Sequence, residues 1–341
     1  MIADTYAEQI NRRLRPADNP MYSALDLFSG CGGLALGFEA AGFKTTGMEM
    51  NEDCCSTYNN NLRGRCIQQV LTVETEFPEA DIVIGGPPCQ PFSVRGKQGG
   101  KFDARNGFPA FIKAIRDIHP RLWLLENVRG LLYKNRHYFN SVIKELAGMG
   151  YRVDYRILNA VDYGVPQNRE RIIIVGHNGS FQYPTPLHDK VTAGEAIGEF
   201  ASQFDAKSRF LTPSMDAYIA KYERASYCVE PRDLHLDRPA RTLTCRNLAA
   251  PTSDMHRVKL SDGRRRQLTV REAARLQSFP DWFEFSGSET SVFYQIGNAV
   301  SPIFSLHLAE KFKETLDNLS QIAPKSNPRG RRVLIEHRMD V

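Results

Sequence analysis

Apolar residues along this chain gather into short runs of strand length, and between them lie stretches whose apolar positions recur at helical spacing. Ser23-Ala-Leu-Asp-Leu-Phe28 reads as a buried strand running into a glycine-rich turn, Ser29-Gly-Cys-Gly-Gly33, and the helix predicted from Leu34 to Ala41 is stopped by Gly42. Further strands are predicted at Lys44–Met48, Asp81–Ile84, Arg121–Leu125 and Arg171–Val175. Helices are predicted at Asp53–Asn61, Phe108–Ile118 and Tyr138–Met149, the last closed by Gly150. Strands alternating with helices predict an α/β fold, a doubly wound, mostly parallel sheet whose ligands bind beyond the carboxyl ends of the strands. Gly30 follows the first strand, Glu49 the second, Cys89 the third and Glu126 the fourth, so all are expected on one edge of the sheet.

From about residue 178 to 290 the pattern weakens into loops and short mixed runs, as expected of a smaller, irregular domain. Within it Thr269-Val-Arg-Glu272 is a capping box that opens a helix through Leu276, ended by Pro280. A helix from Leu306 to Leu319 is expected to return the chain to the first domain. The division is therefore an extension at 1–22, a main domain of 23–177 with 291–321, a second domain at 178–290, and a basic, mobile tail at 322–341.

Composition narrows the class. A chain of 341 residues, 42% hydrophobic and 24% charged, is neither disordered nor fibrous, and its apolar runs stay far short of a membrane span. The N-terminus lacks the apolar stretch of a secretory signal, and the seven cysteines, odd in number and without zinc spacing, suit free thiols in a reducing cytoplasm with no bound metal. The net charge of +5 is mild, but basic residues gather at Arg257–Arg275 and Lys325–Arg338, where they could track a phosphate backbone or merely face solvent.

Four segments carry candidate chemistry. Asp26-Leu-Phe-Ser-Gly-Cys-Gly-Gly-Leu34, with Glu49 at the end of the next strand, suits a cofactor held close to the backbone with its ribose on the acid, although a tight structural turn or a dinucleotide site would read alike. In Gly85-Gly-Pro-Pro-Cys-Gln-Pro-Phe-Ser93, prolines would hold the Cys89 thiol rigidly at the sheet edge as a nucleophile, whereas Cys31, Cys54, Cys55, Cys66, Cys228 and Cys245 read as small buried hydrophobes. Glu126, in Leu125-Glu-Asn-Val128, leaves an apolar strand; beside apolar walls its carboxyl would ionise less readily and could donate a proton. Gln167-Asn-Arg-Glu-Arg171 sets two arginines on opposite faces of a strand start, one toward the site and one toward its scaffold.

In this order and spacing, and with Arg238-Pro-Ala-Arg-Thr-Leu-Thr244 and Gln295-Ile-Gly-Asn-Ala-Val300, these segments resemble the DNA cytosine-5 methyltransferase family of the bacterial restriction-modification type, over about Leu25 to Ala309. The resemblance implies a Rossmann-like S-adenosyl-L-methionine-dependent fold, with 178–290 as target-recognition domain. Cytosine C5 is too weak a nucleophile to take a sulfonium methyl unaided, so a thiolate must first add at C6. By resemblance Cys89 is that thiolate, Glu126 acts at N3, Arg171 holds O2, and Arg169 and Asn127 support the cysteine loop. Phe28, Ser29, Gly30, Cys31 and Gly32 would surround the methionine moiety, Glu49 the ribose, with Met50, Pro88, Phe108, Asn298 and Val300 as walls. Met50 stands where the family often has an aromatic, Gln68 where it often has an Asp, and Arg105-Asn106-Gly107 departs from the common Arg-Gly pair.

The same resemblance implies a target base flipped out of double-stranded DNA and a glycine- and cation-rich lid at Ser93–Lys101. Sequence recognition is expected from 178 to about 237 and from Arg246 to Arg266, in a monomer near the nucleoid, compatible with a cognate restriction endonuclease. The competing readings are an RNA cytosine-5 methyltransferase, whose Cys-Phe-Thr tripeptide this chain lacks, a catalytically silent DNA-binding relative, and a nicotinamide-dependent oxidoreductase.

Overall fold

The computed structural model describes residues 4–88, 106–133, 135–206, 208–225, 227, 232–249 and 254–322; Cys89, the Ser93–Lys101 segment, Cys228 and the tail beyond 322 lie outside them. Eleven α-helices and nine strands are described. The first part of the chain runs α1 (Tyr6–Arg13), β1 (Tyr22–Leu27), α2 (Gly33–Ala40), β2 (Phe43–Glu49), α3 (Glu52–Asn61), β3 (Arg65–Gln68), β4 (Ile82–Gly85). It continues with α4 (Phe108–Ile118), β5 (Leu122–Val128), α5 (Arg136–Ala147), β6 (Arg152–Asn159) and β7 (Glu170–His177). Then come α6 (Ala193–Ile197), α7 (Pro213–Ala225), α8 (Cys245–Ala249), β8 (Arg257–Lys259), β9 (Arg265–Gln267), α9 (Val270–Leu276), α10 (Glu289–Asn298) and α11 (Pro302–Ile322).

Seven strands form one sheet in the order β3-β2-β1-β4-β5-β7-β6. All neighbours from β3 to β5 pair in parallel, and β7 alone runs against both β5 and β6. The strand order turns back between β1 and β4, which is where a doubly wound sheet opens a crevice. Both faces of the sheet are buried. Ile82, Ile84, Leu122, Leu124, Ile173 and Val175 point into one core with α2 and α11, while Val83, Trp123, Leu125, Ile172 and Ile174 point into the other with α4 and α5. That is why these strands read as unbroken apolar runs.

The strand register carries the site. Met48, Leu27, Gly85 and Leu125 stand in one row across β2, β1, β4 and β5, so Glu49, Phe28, Gly86 and Glu126 lie one residue beyond it. The expectation that the four chain segments reach a common edge holds for those described. Because β7 is reversed, its first residues meet the last ones of β5, and Arg171 pairs with Val128.

Strands β3, β6, β8 and β9 and helices α1, α6, α7, α8 and α10 went unrecognised in the sequence. In β6 only Leu158 is buried and in β3 only Cys66, so neither shows an apolar run. Helix α1 opens on a Thr5–Glu8 capping box and buries Tyr6 and Ile10, which makes part of the N-terminal extension a packed element. Helix α10 was seen only as a motif. The Thr269–Glu272 capping box is present as expected.

The basic run at Arg257–Arg275 is largely structural, which corrects its reading as a phosphate-tracking stretch. Arg257 is buried against Asp233 (2.5 Å) and Glu223 (2.7 Å), and Arg266 is sealed against Glu272 at 2.7 Å, with both side chains at most 1% exposed. Arg275 pairs with Asp281, and Arg271 donates to the carbonyls of Pro280 and Phe283. These ion pairs and hydrogen bonds tie together segments of the loop-rich region.

Breaking the sealed pair should therefore show in stability: Arg266→Ala is expected to cost about 3 kcal/mol, because it leaves the Glu272 carboxylate buried and unpaired. Arg264→Ala, at a half-exposed pair with Asp262, should cost under about 1 kcal/mol. Urea midpoints of the two variants check the contrast, and equal midpoints would return the run to the surface.

Candidate active site

Strand β1 ends in a turn with an unusual backbone. Phe28 has φ 59°, Gly30 φ 53° and Gly32 φ 90°, a left-handed backbone that the two glycines adopt without the steric cost that Phe28 bears. A Cβ at Gly30 would meet nothing within 4 Å, so this side of the turn is open, whereas one at Gly32 would press on the Tyr58 ring at 2.9 Å. The Glu49 carboxylate closes the far side, taking the Gly30 N–H on Oε2 (3.1 Å) and the Asn51 N–H on Oε1 (2.9 Å). An acid-rimmed, open backbone cradle results.

Other predicted cofactor residues take varied positions. Ser29 is buried beside Cys66 (3.7 Å), and Cys31 turns its sulfur inward toward the Gln295 carbonyl, so each presents backbone rather than side chain to the cradle. Met50 is 66% exposed above it, near Gln68, whose Nε2 donates to the Met50 carbonyl. Val300 abuts the turn from α10: a Cβ on Gly33 would lie 2.4 Å from its carbonyl oxygen. Asn298 is exposed, and Pro88 is half-buried. Phe108 is fully buried, with its ring edge-on to Tyr138, so it backs the site from within the core instead of facing it. Cys31, Cys55 and Cys66 are buried as expected, and burial pushes the Cys31 thiol up to about 12; Cys54 and Cys245 are half-exposed, contrary to the reading of all as buried hydrophobes.

Beneath the cradle Asp26 is sealed in β1. Burial, with Glu49 nearby, holds its carboxyl well above the usual carboxylate range, and its Oδ2 has no partner among the described residues.

Across the sheet edge, Arg171 Nε donates to Glu126 Oε1 at 2.8 Å, with the two side chains 14% and 12% exposed. Arg171 Nη1 donates to the Glu170 carbonyl (2.8 Å), and Gly86 lies against Glu126, its hypothetical Cβ 3.3 Å from Oε2. The apolar wall expected beside Glu126 is thus replaced on one side by a guanidinium. Asn127 Nδ2 donates to the Pro87 carbonyl (2.9 Å), pinning the turn that enters Cys89.

Arg169, facing the opposite way from Arg171, is 2% exposed. Its Nη1 donates to the Leu243 carbonyl (2.7 Å) and its Nη2 to those of Gly297 (3.1 Å) and Ala299 (2.9 Å), while Nε has no partner among the described residues. Burial, with Arg171 nearby, makes its charge costly and lowers its pKa. Gln167, unassigned in the sequence, is fully buried and joins the same point: its Oε1 accepts the Leu243 N–H (3.0 Å), and its Nε2 donates to the Leu276 carbonyl (2.9 Å). Its signal was its place in the Gln-x-Arg-x-Arg motif. Arg238–Thr244 explains itself here too, because Ala240 exchanges backbone bonds with Pro166 (2.9 Å) and Asn168 (2.8 Å).

Among the described residues no group of three or more His, Cys, Asp or Glu could hold a metal, and no helix is long and apolar enough to cross a membrane.

Comparison with known proteins meets this geometry. The chain is 54% identical over 297 residues to the type II methyltransferase M.AplI of Arthrospira platensis, covering 86% of each chain. It is 34% identical to M1.HphI of Haemophilus parahaemolyticus, over 84% of this chain and 85% of that one. Among solved structures, a Spodoptera frugiperda DNMT2 variant superposes with a TM-score of 0.65 at 18% identity, and the S. pombe Dnmt2 methyltransferase with 0.63 at 20%. These cover 87% and 88% of this chain and the whole of theirs, and they show the shared fold. With residues 22–314 matching the C-5 cytosine-specific DNA methylase model as well, the chain belongs to that family and is a DNA cytosine-5 methyltransferase.

Proposed function

We propose that the protein methylates C5 of one cytosine within a specific double-stranded DNA sequence, after flipping that base out of the helix and adding Cys89 to its C6. The observation that carries this reading is the Glu126–Arg171 pair, set at the sheet edge against the Gly86-Pro87-Pro88 turn that leads straight into Cys89.

Each residue would have distinct work. The Cys89 thiolate forms the bond to C6, and the electron pair of the C5–C6 double bond shifts toward N3 and C5. Glu126 holds a proton at N3, where negative charge gathers, and Arg171 turns its remaining terminal nitrogen to O2. Asn127 steadies the turn before Cys89 through Pro87. Arg169 braces the site from behind, and its Nε, without a partner among the described residues, is a donor available to the cysteine segment. Once C5 is methylated, loss of its proton restores the double bond and expels Cys89.

The cradle fits S-adenosyl-L-methionine: Gly30 leaves the backbone open, and the Glu49 oxygens each retain a lone pair for a ribose hydroxyl. Bound there, it supplies the electrophilic methyl group, leaving S-adenosylhomocysteine. Phe28, Ser29, Gly30, Cys31 and Gly32 would hold its methionine part, Glu49 the ribose, and Met50, Pro88 and Val300 the rim, with Asn298 beside them and Phe108 behind.

In this reading 23–177 with 291–321 is the catalytic domain and 178–290 the target-recognition domain. The basic tail beyond 322 adds charge for DNA. The type II names of the relatives favour a cognate restriction endonuclease acting on the same site, and a monomer working in the cytoplasm at the nucleoid suffices for the chemistry.

Cys89→Ser is expected to abolish methyl transfer while leaving the calorimetric affinity for S-adenosylmethionine unchanged; an active Ser variant refutes covalent catalysis. Glu126→Gln should lower kcat by roughly 10²–10⁴-fold with little change in DNA affinity, since the proton it holds matters most where charge develops. Bisulfite sequencing of DNA from expressing cells should show one methylated motif, and transfer to tRNA but not to duplex DNA would overturn the substrate assignment.

A further inference from the structure

The segment bearing Cys89 leaves the described fold at Pro88 and rejoins it at Asn106, and these two points are fastened to each other. Gly107 N donates to the Pro88 carbonyl at 3.1 Å. The contact is too close for any side chain, since a Cβ on Gly107 would stand 2.6 Å from Pro88 Cδ, 2.8 Å from Phe28 Cζ and 3.0 Å from Pro87 Cβ. On the entering side, Asn127 holds the Pro87 carbonyl (2.9 Å). On the returning side the corresponding hold comes from α5, an element that otherwise packs on α4 and β6.

That hold is Tyr138. Its hydroxyl receives a hydrogen bond from Asn106 Nδ2 at 2.8 Å and lies 3.1 Å from Asn106 Oδ1, which also accepts the Phe108 N–H at 3.3 Å. The Tyr138 ring meets Phe108 edge-on, with centroids 5.5 Å apart and planes at 85°, so the phenol is aimed by core packing. A phenylalanine would fill the same space. Among the contacts of the hydroxyl is the link to Asn106, the residue where this chain departs from the common Arg-Gly pair.

We propose that Tyr138 is a positioning residue for methyl transfer: through Asn106 and the Gly107–Pro88 bond it fixes the downstream end of the segment that carries Cys89, and so governs how often the thiol stands where it can bond to C6. This rests on the reading of Cys89 as nucleophile. Small losses of alignment are costly when a bond must form within a narrow range of distance and angle, whereas ground-state binding scarcely registers them. The effect therefore belongs in kcat and in the rate of adduct formation, not in affinity.

Tyr138→Phe in the full-length enzyme should lower kcat roughly tenfold, with KM for S-adenosylmethionine and for DNA and the thermal midpoint unmoved. Asn106→Ala should do the same, and the double variant should be no slower than either single one, because both remove one link. The rate of trapped adduct on a 5-fluorocytosine duplex should fall in parallel. An unchanged kcat in Tyr138→Phe, losses that multiply in the double variant, or a loss of rate matched by a loss of stability would each overturn the proposal. If the wild-type enzyme methylates DNA yet traps no adduct, the nucleophile reading fails and this proposal falls with it; a wild-type adduct that forms as fast in Tyr138→Phe overturns the proposal alone.

Discussion

Much of this structure depends on one buried cation. The guanidinium of Arg169 draws together the start of β7, the Leu243 carbonyl from the loop-rich region, and the carbonyls of Gly297 and Ala299 at the end of α10. Taking a charged group out of water costs several kcal/mol, and carbonyl oxygens repay it only with good geometry. Three of them, at 2.7–3.1 Å, supply that. The converse matters more, because without the cation these carbonyls would face one another in a dry space. Gly297 shows how tightly the segments are drawn in, since a Cβ there would sit 2.2 Å from the Cys245 backbone nitrogen. The clamp joins parts of the chain more than a hundred residues apart, and it sets Val300 against the glycine turn, so the glycine turn and the Glu126–Arg171 pair share one frame.

The second constraint is the closeness of α2 and α11. Gly33 and Gly37 lie on one face of α2, where a Cβ on Gly37 would stand 2.4 Å from the Leu306 backbone nitrogen, and Ser305 Oγ donates to the Leu34 carbonyl at 2.5 Å. Helix α11 thus rests directly on the helix that follows the glycine turn. The last described element of the chain is needed to support the first motif, which explains why the folding unit is closed from both ends.

How far the sequence was legible follows from what each segment buries. Strands buried on both faces, such as β4 and β5, announce themselves as apolar runs, and the residues just past them could be placed on a common edge before any coordinates. Strands β3 and β6 lie at the margins of the sheet with one side to solvent, so their composition is that of a loop. The motif arginines could be named but not oriented. That Arg169 looks inward to carbonyls while Arg171 looks outward to Glu126 depends on partners distant in the chain. The basic run around Arg266 misled for the same reason: its neutralising acids, Asp233, Glu223 and Glu272, are brought to it only by folding.

The reversed strand is where topology becomes chemistry. In a sheet of parallel strands, every residue at the carboxyl edge is the last of its strand, and each is followed by a loop that must turn back over the sheet. Strand β7 runs the other way, so it brings its first residues to that edge, with Arg171 opposite Val128 and its guanidinium reaching Glu126 in the adjacent strand. An acid and a base from neighbouring strands can then stand side by side, each on a hydrogen-bonded ladder instead of a loop. Pyrimidine recognition at N3 and O2 needs two groups at a fixed separation. In the proposed reading the antiparallel β5–β7 pair supplies that separation, and the adjoining loops are left to carry the nucleophile and the cofactor.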